Sequence, residues 1–444
     1  MTTPATPWYG TQPPPLHTRL PLPDVARHLT ALRDGEYANL VPSERSLHPV
    51  VLPPASWREL FTATATLLSL LRRALFTAAP DPASRIAALG ADPALYPLTV
   101  TGPLEERYAT CIARPDVLIA AGGGPKFIEF NIGSGIGGVV DTALHTRAWT
   151  HALGGPDTTP LTAPDPLAVR DTLLARAVRD LHAPPAVALL GTRRDYPAGR
   201  YFELQLDSLR RHGLEAEFFE PADLPADPTR YKVGLRHLTI LEWQRHGIDL
   251  APVRAALDAG CALIATQSAY LVANKKVLAW ISEGRPWMSE TERAAVERYL
   301  PWTRVLADRP ARHRGRTRPL PELLLDHPED YVLKPAIGMS GQQVLVGRTC
   351  EPRLWRETVT RAAAAEDHIV QEHVEPAPIT MEFAADDQAT TTFHAPVQPV
   401  FSPFLFDGRP AGCLVRYLPP GGEGVVSILG HGALANVALT HRSA

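Results

Sequence analysis

Cysteine is scarce in this sequence, and the few cysteines lie far apart. The chain of 444 residues contains four of them, at positions 111, 261, 350 and 413. They form no C-x-x-C pair and no spacing typical of zinc ligands, which argues against a disulfide-stabilised fold and against a structural zinc site. We therefore expect a protein of the reducing cytoplasm.

An excess of charge of one sign is also missing. The 44 lysines and arginines are balanced by 47 aspartates and glutamates, which leaves a net charge of −3. No run of basic residues is long enough to follow a phosphate backbone. Nucleic acid is therefore not expected as a partner.

Long uncharged apolar runs are absent as well. A membrane-spanning helix needs roughly 18 such residues in a row, and no stretch of the sequence reaches that length. The first residues also lack the basic start and the apolar stretch of a secretory signal. We expect a soluble, unprocessed protein without a membrane partner.

Apolar residues and proline, by contrast, are plentiful. Hydrophobic residues make up 45% of the chain, which at this length allows a large core divided into two or three lobes. The 45 prolines cluster in the first 25 residues and near 301–321, and these clusters mark breaks between folded regions.

Periodic segments predict a chain that mixes helices and strands. Apolar residues at helical spacing, without glycine, predict a long helix over 57–80. Two short apolar runs joined by a glycine turn predict a β-hairpin over 114–131. A strand at 186–191, followed by a helix and another strand, is typical of a parallel α/β unit, and a second unit is predicted around 238–243 and 261–267. The expected fold class is α/β, arranged in α+β lobes.

One candidate phosphate-binding loop follows an apolar strand that ends at Lys334. The small residues Gly338, Ser340 and Gly341 come next and allow backbone N–H groups to turn toward an anion, while the lysine adds a positive charge. The spacing fits neither the P-loop nor the Rossmann fingerprint. An ordinary hairpin with a solvated lysine remains the alternative.

Two further segments suit a nucleotide. An apolar strand ends at Gln371 and Glu372 and is followed by Val374, which suits a hinge that meets adenine and ribose. Upstream, Lys275 lies in an N-K-K sequence that opens a helix and can reach the same nucleotide. A solvated lysine pair is the competing interpretation.

Polar residues on the predicted hairpin form a candidate metal site. Arg114 and Asp116 are two apart on one strand, and Glu129 and Asn131 are two apart on the next, so each pair points to one face. Carboxylates and an amide oxygen suit Mg²⁺, and the arginine suits a carboxylate or a phosphoryl group. A solvated polar face is the alternative.

A late arginine lies inside an apolar strand. Arg416 belongs to the run PAGCLVRYL, and an arginine in such a strand either pairs with a buried acid or acts on a transferred phosphoryl group. The glycine-rich stretch at 133–138 is read equally as an anion-binding loop or as a flexible turn.

Taken in order, these motifs resemble the glutathionylspermidine synthetase group of ATP-grasp ligases and related natural-product peptide ligases. That group has an R-x-D strand, an E-x-N strand, an N-K before a helix, a K-P strand with its glycine loop, a Q-E hinge and a late arginine strand. The resemblance spans about 114–436. It implies an ATP-grasp fold with permuted motif order, because ordinary members place their metal carboxylates after the lysines. A helical N-terminal region and a Rossmann-like α/β unit would precede the nucleotide lobes.

The resemblance also implies roles for individual residues. They are the Mg²⁺ ligands Asp116, Glu129 and Asn131, the ATP contacts Lys275, Lys334, Gly338, Ser340, Gly341, Gln371, Glu372 and Val374, and the catalytic Arg114 and Arg416. One departure concerns the substrate contacts. After E-x-N the group continues with x-D-T-P, whereas this chain continues with Ile132-Gly133-Ser134-Gly135.

The expected activity is an ATP-dependent ligation of a carboxylate to an amine through an acyl phosphate, with release of ADP and phosphate. The partners would be small amino-acid- or peptide-like carboxylate and amine substrates; a monomer and a homodimer both stay open. The rivals are phosphoryl transfer without an amine acceptor and a non-catalytic nucleotide-binding protein.

The same reasoning divides the chain into four regions. They are a Pro-rich tail and helical cap at 1–100, the metal- and substrate-binding part at 101–160, a Rossmann-like substrate domain at 161–270, and the nucleotide-binding lobes with the C-terminal core at 271–444.

Overall fold

The computed structural model describes most of the chain. The described residues are 8–14, 18, 20–25, 45–195, 200–225, 227, 229–237, 239–338, 341–386, 389–422, 424–428 and 432–442. The helices are α1 (Pro54–Ala78), α2 (Pro82–Ala88), α3 (Pro103–Tyr108), α4 (Val139–Ala152), α5 (Pro166–Asp180), α6 (Tyr201–Arg211), α7 (Ile240–Arg245), α8 (Ala251–Asp258), α9 (Ser268–Val272), α10 (Lys275–Glu283), α11 (Glu290–Tyr299), α12 (Leu320–Asp326) and α13 (Pro352–Ala365).

The strands belong to several sheets. In chain order they are β1 (Arg45–Ser46), β2 (Val50–Leu52), β3 (Ile112–Ile119), β4 (Pro125–Ile132), β5 (Leu161–Thr162), β6 (Ala186–Leu190), β7 (Glu215–Phe219), β8 (Val233–Arg236), β9 (Ala262–Ile264), β10 (Thr303–Val305), β11 (Pro310–His313), β12 (Arg316–Pro319), β13 (Tyr331–Pro335), β14 (Leu345–Val346), β15 (His368–Glu372), β16 (Ile379–Ala384), β17 (Thr392–Val397), β18 (Val400–Phe406), β19 (Arg409–Tyr417) and β20 (Leu434–His441).

The predicted long helix is confirmed as α1. It begins three residues earlier than predicted, because Pro54 fits the first turn of a helix, where its missing N–H costs nothing. Leu60, Leu67 and Leu71 follow helical spacing and are buried. Through this apolar face α1 packs against α10, α11 and the central strand β18.

The largest sheet carries the predicted hairpin. Its strand order is β2-β20-β19-β18-β3-β4, with β5 paired to β20, and β3 and β4 run antiparallel. The predicted hairpin over 114–131 is therefore confirmed. The register places Arg114 opposite Asn131 and Asp116 opposite Glu129, so the four polar residues are neighbours on one sheet.

A second sheet is fully parallel, as the strand-helix-strand pattern predicts. Its order is β7-β6-β8-β9. The second α/β unit is present, but its first strand is β8, and the apolar LTILEW segment leads into α7 instead. Thr239 and Glu242 form a capping box, which fixes the start of a helix at this point. The carboxyl ends of the parallel strands meet at one edge of the sheet.

The nucleotide half forms an antiparallel sheet in the order β10-β15-β13-β14. The predicted strands at Lys334 and at Gln371 are confirmed as β13 and β15. The predicted strand over QQVLVG is shortened to β14. One face of the sheet packs on α12 and α13, and the other packs on α10.

The mixed α/β architecture is thus confirmed, while the permuted motif order and the four regional boundaries stay predictions. All four cysteines are unpaired, as their spacing predicts. Within the part of the chain that the structure describes, no helix is long and apolar enough to cross a membrane.

Candidate functional site

The hairpin residues lie together at the centre of the candidate site. Directly opposed residues of antiparallel strands have Cβ atoms about 4.5–5.5 Å apart, and Asp116 is directly opposed to Glu129. The side-chain amide nitrogen of Asn131 donates to the carbonyl oxygen of Arg114 at 3.2 Å.

Arg416 reaches Asp116 from β19. One of its guanidinium nitrogens lies 2.6 Å from an Asp116 oxygen, and it also donates to the Ser402 hydroxyl at 3.0 Å. Ser402 in turn donates to Asp116 at 2.9 Å. Burial raises the pKa of Asp116, but the charges of Arg416 and Arg114 outweigh it, so the pKa lies below its usual range. Of the two interpretations of Arg416, pairing with a buried acid describes this structure.

Arg114 connects β3 to the glycine-rich stretch 133–138. Its guanidinium donates to the carbonyl oxygen of Gly137 at 2.7 Å, and its Nε lies 3.9 Å from Asp116. Burial lowers the pKa of Arg114 to about 10, and the group stays charged at neutral pH. The Nε atoms of Arg114 and Arg416 are buried and have no hydrogen-bond partner among the described residues. Two such donors suit an anionic ligand.

Lys275 brings α10 into the site. It is the first residue of the helix, and its ammonium lies 3.0 Å from a Glu129 oxygen. Its side chain is only 8% exposed. The next residue, Lys276, points away and donates to the carbonyl oxygen of Leu89. Of the predicted lysine pair, therefore, one residue is at the site and the other supports the fold.

Lys334 approaches from the nucleotide-binding sheet. Its ammonium donates to the carbonyl oxygen of Ile128 at 2.9 Å and to the side-chain oxygen of Gln371 at 2.8 Å. Burial lowers the pKa of Lys334 to about 8, against an opposing effect of Glu129. The two lysines thus converge on β4 from two different elements.

The next two predicted nucleotide contacts are Glu372 and Val374. Glu372 forms an ion pair with Arg314 at 2.7 Å. Glu372 and Val374 line a cavity of about 690 Å³ beside the hinge, with Lys126, Trp302 and other residues completing its walls. This volume lies in the usual range for small-molecule sites, roughly 300–1,000 Å³.

The glycine loop after Lys334 is described at its two ends. Ser340 lies outside the described residues, while Gly338 and Gly341 flank the gap. Gly341 has φ of 72°, a left-handed conformation that favours glycine. The following Gln342 lies 3.5 Å from Arg245 of α7, so this end of the loop reaches the parallel α/β unit.

A second cavity, of about 10 Å³, lies at the carboxyl end of β8 beside the stretch 133–138. Its polar lining was not anticipated from the sequence, and comprises Ser134, Arg170, Tyr201, Gln205, Arg236 and His237. Burial lowers the pKa of His237 to about 3, so this imidazole is neutral. The Ser134 hydroxyl and the Gln205 amide nitrogen are buried and have no partner in the described part of the chain.

The donor set of the cluster fits Mg²⁺ bound together with a nucleotide. Among the described residues, no group of three histidine, cysteine, aspartate or glutamate side chains can hold a metal by itself. Mg²⁺ commonly takes one or two carboxylates and completes its shell with phosphate oxygens and water. Asp116 and Glu129, with the amide oxygen of Asn131, would supply that protein share.

Comparison with solved structures shows a distant similarity of fold. The structure is similar to that of a glutathione synthetase-like effector of Globodera pallida in its apo form, with a TM-score of 0.54 and 15% sequence identity over 94% of this chain and 97% of that chain. A protein of Methylobacillus flagellatus KT assigned as a gamma-glutamylcysteine synthetase matches at a TM-score of 0.40 and 14% identity, over 82% of this chain and 84% of that one, which is too low to support an argument. No family model matches the sequence, and no curated protein does.

Proposed function

We propose that the protein is an ATP-dependent ligase of the ATP-grasp class, which joins a carboxylate to an amine through an acyl phosphate and releases ADP and phosphate. The observation that carries the proposal is the buried cluster in which Asp116 and Glu129 meet Arg416, Lys275 and Lys334. These five side chains come from five separate elements of a glutathione synthetase-like fold.

In the first step, a substrate carboxylate attacks the terminal phosphoryl group of ATP. Phosphoryl transfer depends mainly on positioning and on neutralising charge. Lys275 and Lys334 are suited to hold the phosphates, and the buried guanidiniums of Arg114 and Arg416 are suited to the transferring group. Bound Mg²⁺ would neutralise phosphate charge beside Asp116 and its neighbours. The ion pairs that now hold both carboxylates are then exchanged for contacts with the substrates.

The larger cavity suggests where the nucleotide lies. The cavity of about 690 Å³ beside the hinge suits the base and the ribose of ATP. The small polar cavity has room for about one water molecule, and its buried Arg170 already pairs with Asp171 at 2.7 Å, so the acid substrate is not assigned to it.

In the second step, the amine attacks the acyl phosphate, an amide bond forms and phosphate leaves. An acyl phosphate hydrolyses when water reaches it, so the reaction requires an enclosed site. The burial of Asp116, Arg114 and Arg416 in the described structure supports such an enclosure.

The test is to identify the nucleotide product. The purified protein is incubated with Mg²⁺-ATP and a pool of amino acids, short peptides and polyamines. We expect ADP and phosphate, dependent on both an acid and an amine, whereas AMP and pyrophosphate would contradict the mechanism. Glu129→Gln should lower turnover strongly, while Glu106→Gln, at an exposed surface ion pair, serves as the matched control.

A further inference from the structure

A buried carboxylate without a cation partner lies next to the proposed phosphoryl-transfer site. Asp141 is the third residue of α4 and is only 7% exposed. The carboxylate interacts with its own backbone N–H, but its Oδ1 atom is buried and has no hydrogen-bond partner among the described residues. A buried oxygen of this kind costs free energy unless a ligand supplies the missing donor.

The start of α4 is held against the site. Arg114 donates to the carbonyl oxygen of Gly137, one residue before the helix cap Gly138. Gly138 has φ of 88°, and a Cβ atom there would lie 2.8 Å from Leu414 and 3.7 Å from Arg114. Glycine is therefore required for this close approach, which places the first turn of α4 beside the guanidinium.

Asp141 differs in charge pairing from the other carboxylates of the region. Asp116 is paired with Arg416 and Glu129 is paired with Lys275. Asp141 has no cation within ion-pair distance among the described residues. The charge of Arg114 acts on it from farther away, and burial raises the pKa of Asp141 to about 7. On α4, His145 contacts the Asp141 carbonyl, and burial lowers the pKa of His145.

We infer that Asp141 receives the ammonium group of the amine substrate and removes a proton from it before the amine attacks the acyl phosphate. The inference rests on the proposed function and assigns a residue to its second step. A donor on the substrate would satisfy Oδ1, and an ammonium would supply the cation that this carboxylate lacks.

The proton and electron balance of the step is complete. The ammonium gives one proton to the Asp141 carboxylate and becomes a neutral amine. The nitrogen lone pair then forms a bond to the acyl carbon, and the carbon–oxygen bond to phosphate breaks with its electron pair on phosphate. The second nitrogen proton leaves with the phosphate, and Asp141 returns its proton to solvent.

The test compares two nucleophiles that differ in their need for a base. Full-length protein is incubated with Mg²⁺-ATP and the pool of amino acids and short peptides, with or without excess hydroxylamine. Without it, phosphate release reports attack by an amine of the pool, which is protonated at neutral pH. With it, hydroxamate reports the acyl phosphate trapped by a nucleophile that is already unprotonated.

Asp141→Asn should lower amine-dependent phosphate release by about 100-fold or more, the usual contribution of a general base, and should lower hydroxamate formation by less than about tenfold. Asp141→Glu keeps a carboxylate and should recover part of the amine-dependent rate. Asp157→Asn, an exposed position beyond the end of the same helix, should change neither rate.

Two outcomes overturn the inference alone. One is an equal loss of rate with both nucleophiles in Asp141→Asn, which would give the residue a purely structural role. The other is an unchanged amine-dependent rate. If the wild-type protein forms neither product, the proposed function itself fails and this inference fails with it.

Discussion

Replacing Asp141 by asparagine should make the protein more stable, and the gain should depend on pH. Burial raises the pKa of Asp141 to about 7 in the folded protein, whereas an unfolded chain leaves an aspartate near about 3.9. The folded state therefore binds this proton more tightly than the unfolded state. Asparagine has nearly the same shape and never ionises, so it removes the penalty of a buried charge.

The size of the effect follows from the two pKa values. Each pKa unit corresponds to about 1.4 kcal/mol, so the difference amounts to about 4 kcal/mol at pH 8. The sign follows from linkage: because the folded pKa is the higher one, the contribution is absent below about pH 4 and destabilises the wild type progressively between about pH 4 and pH 7. The advantage of Asp141→Asn should grow over the same interval and then level off.

Thermal unfolding of both proteins from pH 5 to pH 8 measures this difference directly. The melting temperature of Asp141→Asn should rise relative to wild type as the pH increases. Asp308→Asn removes an exposed carboxylate, so its difference from wild type should stay flat. A flat difference for Asp141→Asn as well would refute the assignment of a buried, unpaired carboxyl.

Three other substitutions test the site and its support. Lys275→Ala should abolish turnover, because its ammonium holds Glu129 in the site, and should lose little stability. Lys276→Ala should mainly lower the melting temperature. Equal effects of the two substitutions on turnover and on melting temperature would contradict this division. ATP should bind more weakly as the pH rises from 7 to 9, since the pKa of Lys334 is about 8, and calorimetry on Lys334→Met should show no such slope. Gly138→Ala should lower the free energy of unfolding, measured in urea, by more than about 1 kcal/mol. The loss should exceed that of Gly155→Ala, because a Cβ atom at position 155 meets no neighbour.

The polar face of the hairpin could be predicted from the sequence because its geometry is local. Polar residues two apart on each strand of a short hairpin must share a face. The antiparallel register then places Asp116 opposite Glu129 and Arg114 opposite Asn131. Lysine at the end of an apolar strand indicated a phosphate contact at Lys334, with a solvated lysine as the alternative, and its approach to β4 was not predicted.

Other parts of the site depend on contacts between distant segments. Ser402 bonds Asp116 across 286 residues of chain, and no local pattern fixes that register. The ion pair between Glu372 and Arg314 also joins distant segments, and the contact of Glu372 with the ribose stays a prediction. The helix at LTILEW could have been predicted from the sequence, because Thr239 and Glu242 have the spacing of a capping box.

The free-energy cost of burying the Asp141 carboxylate also predicts how its ligand should bind. A buried carboxylate that lowers stability at neutral pH persists only where it is compensated or where it serves function. If an ammonium is its partner, the two groups attract only while the carboxylate is ionised and the amine is still protonated. The amine substrate, once identified among the compounds of the pool, should therefore bind more tightly at pH 8 than at pH 6 in the wild type. In Asp141→Asn the affinity for the amine should no longer depend on pH in this way. If the pH dependence survives, the amine binds elsewhere.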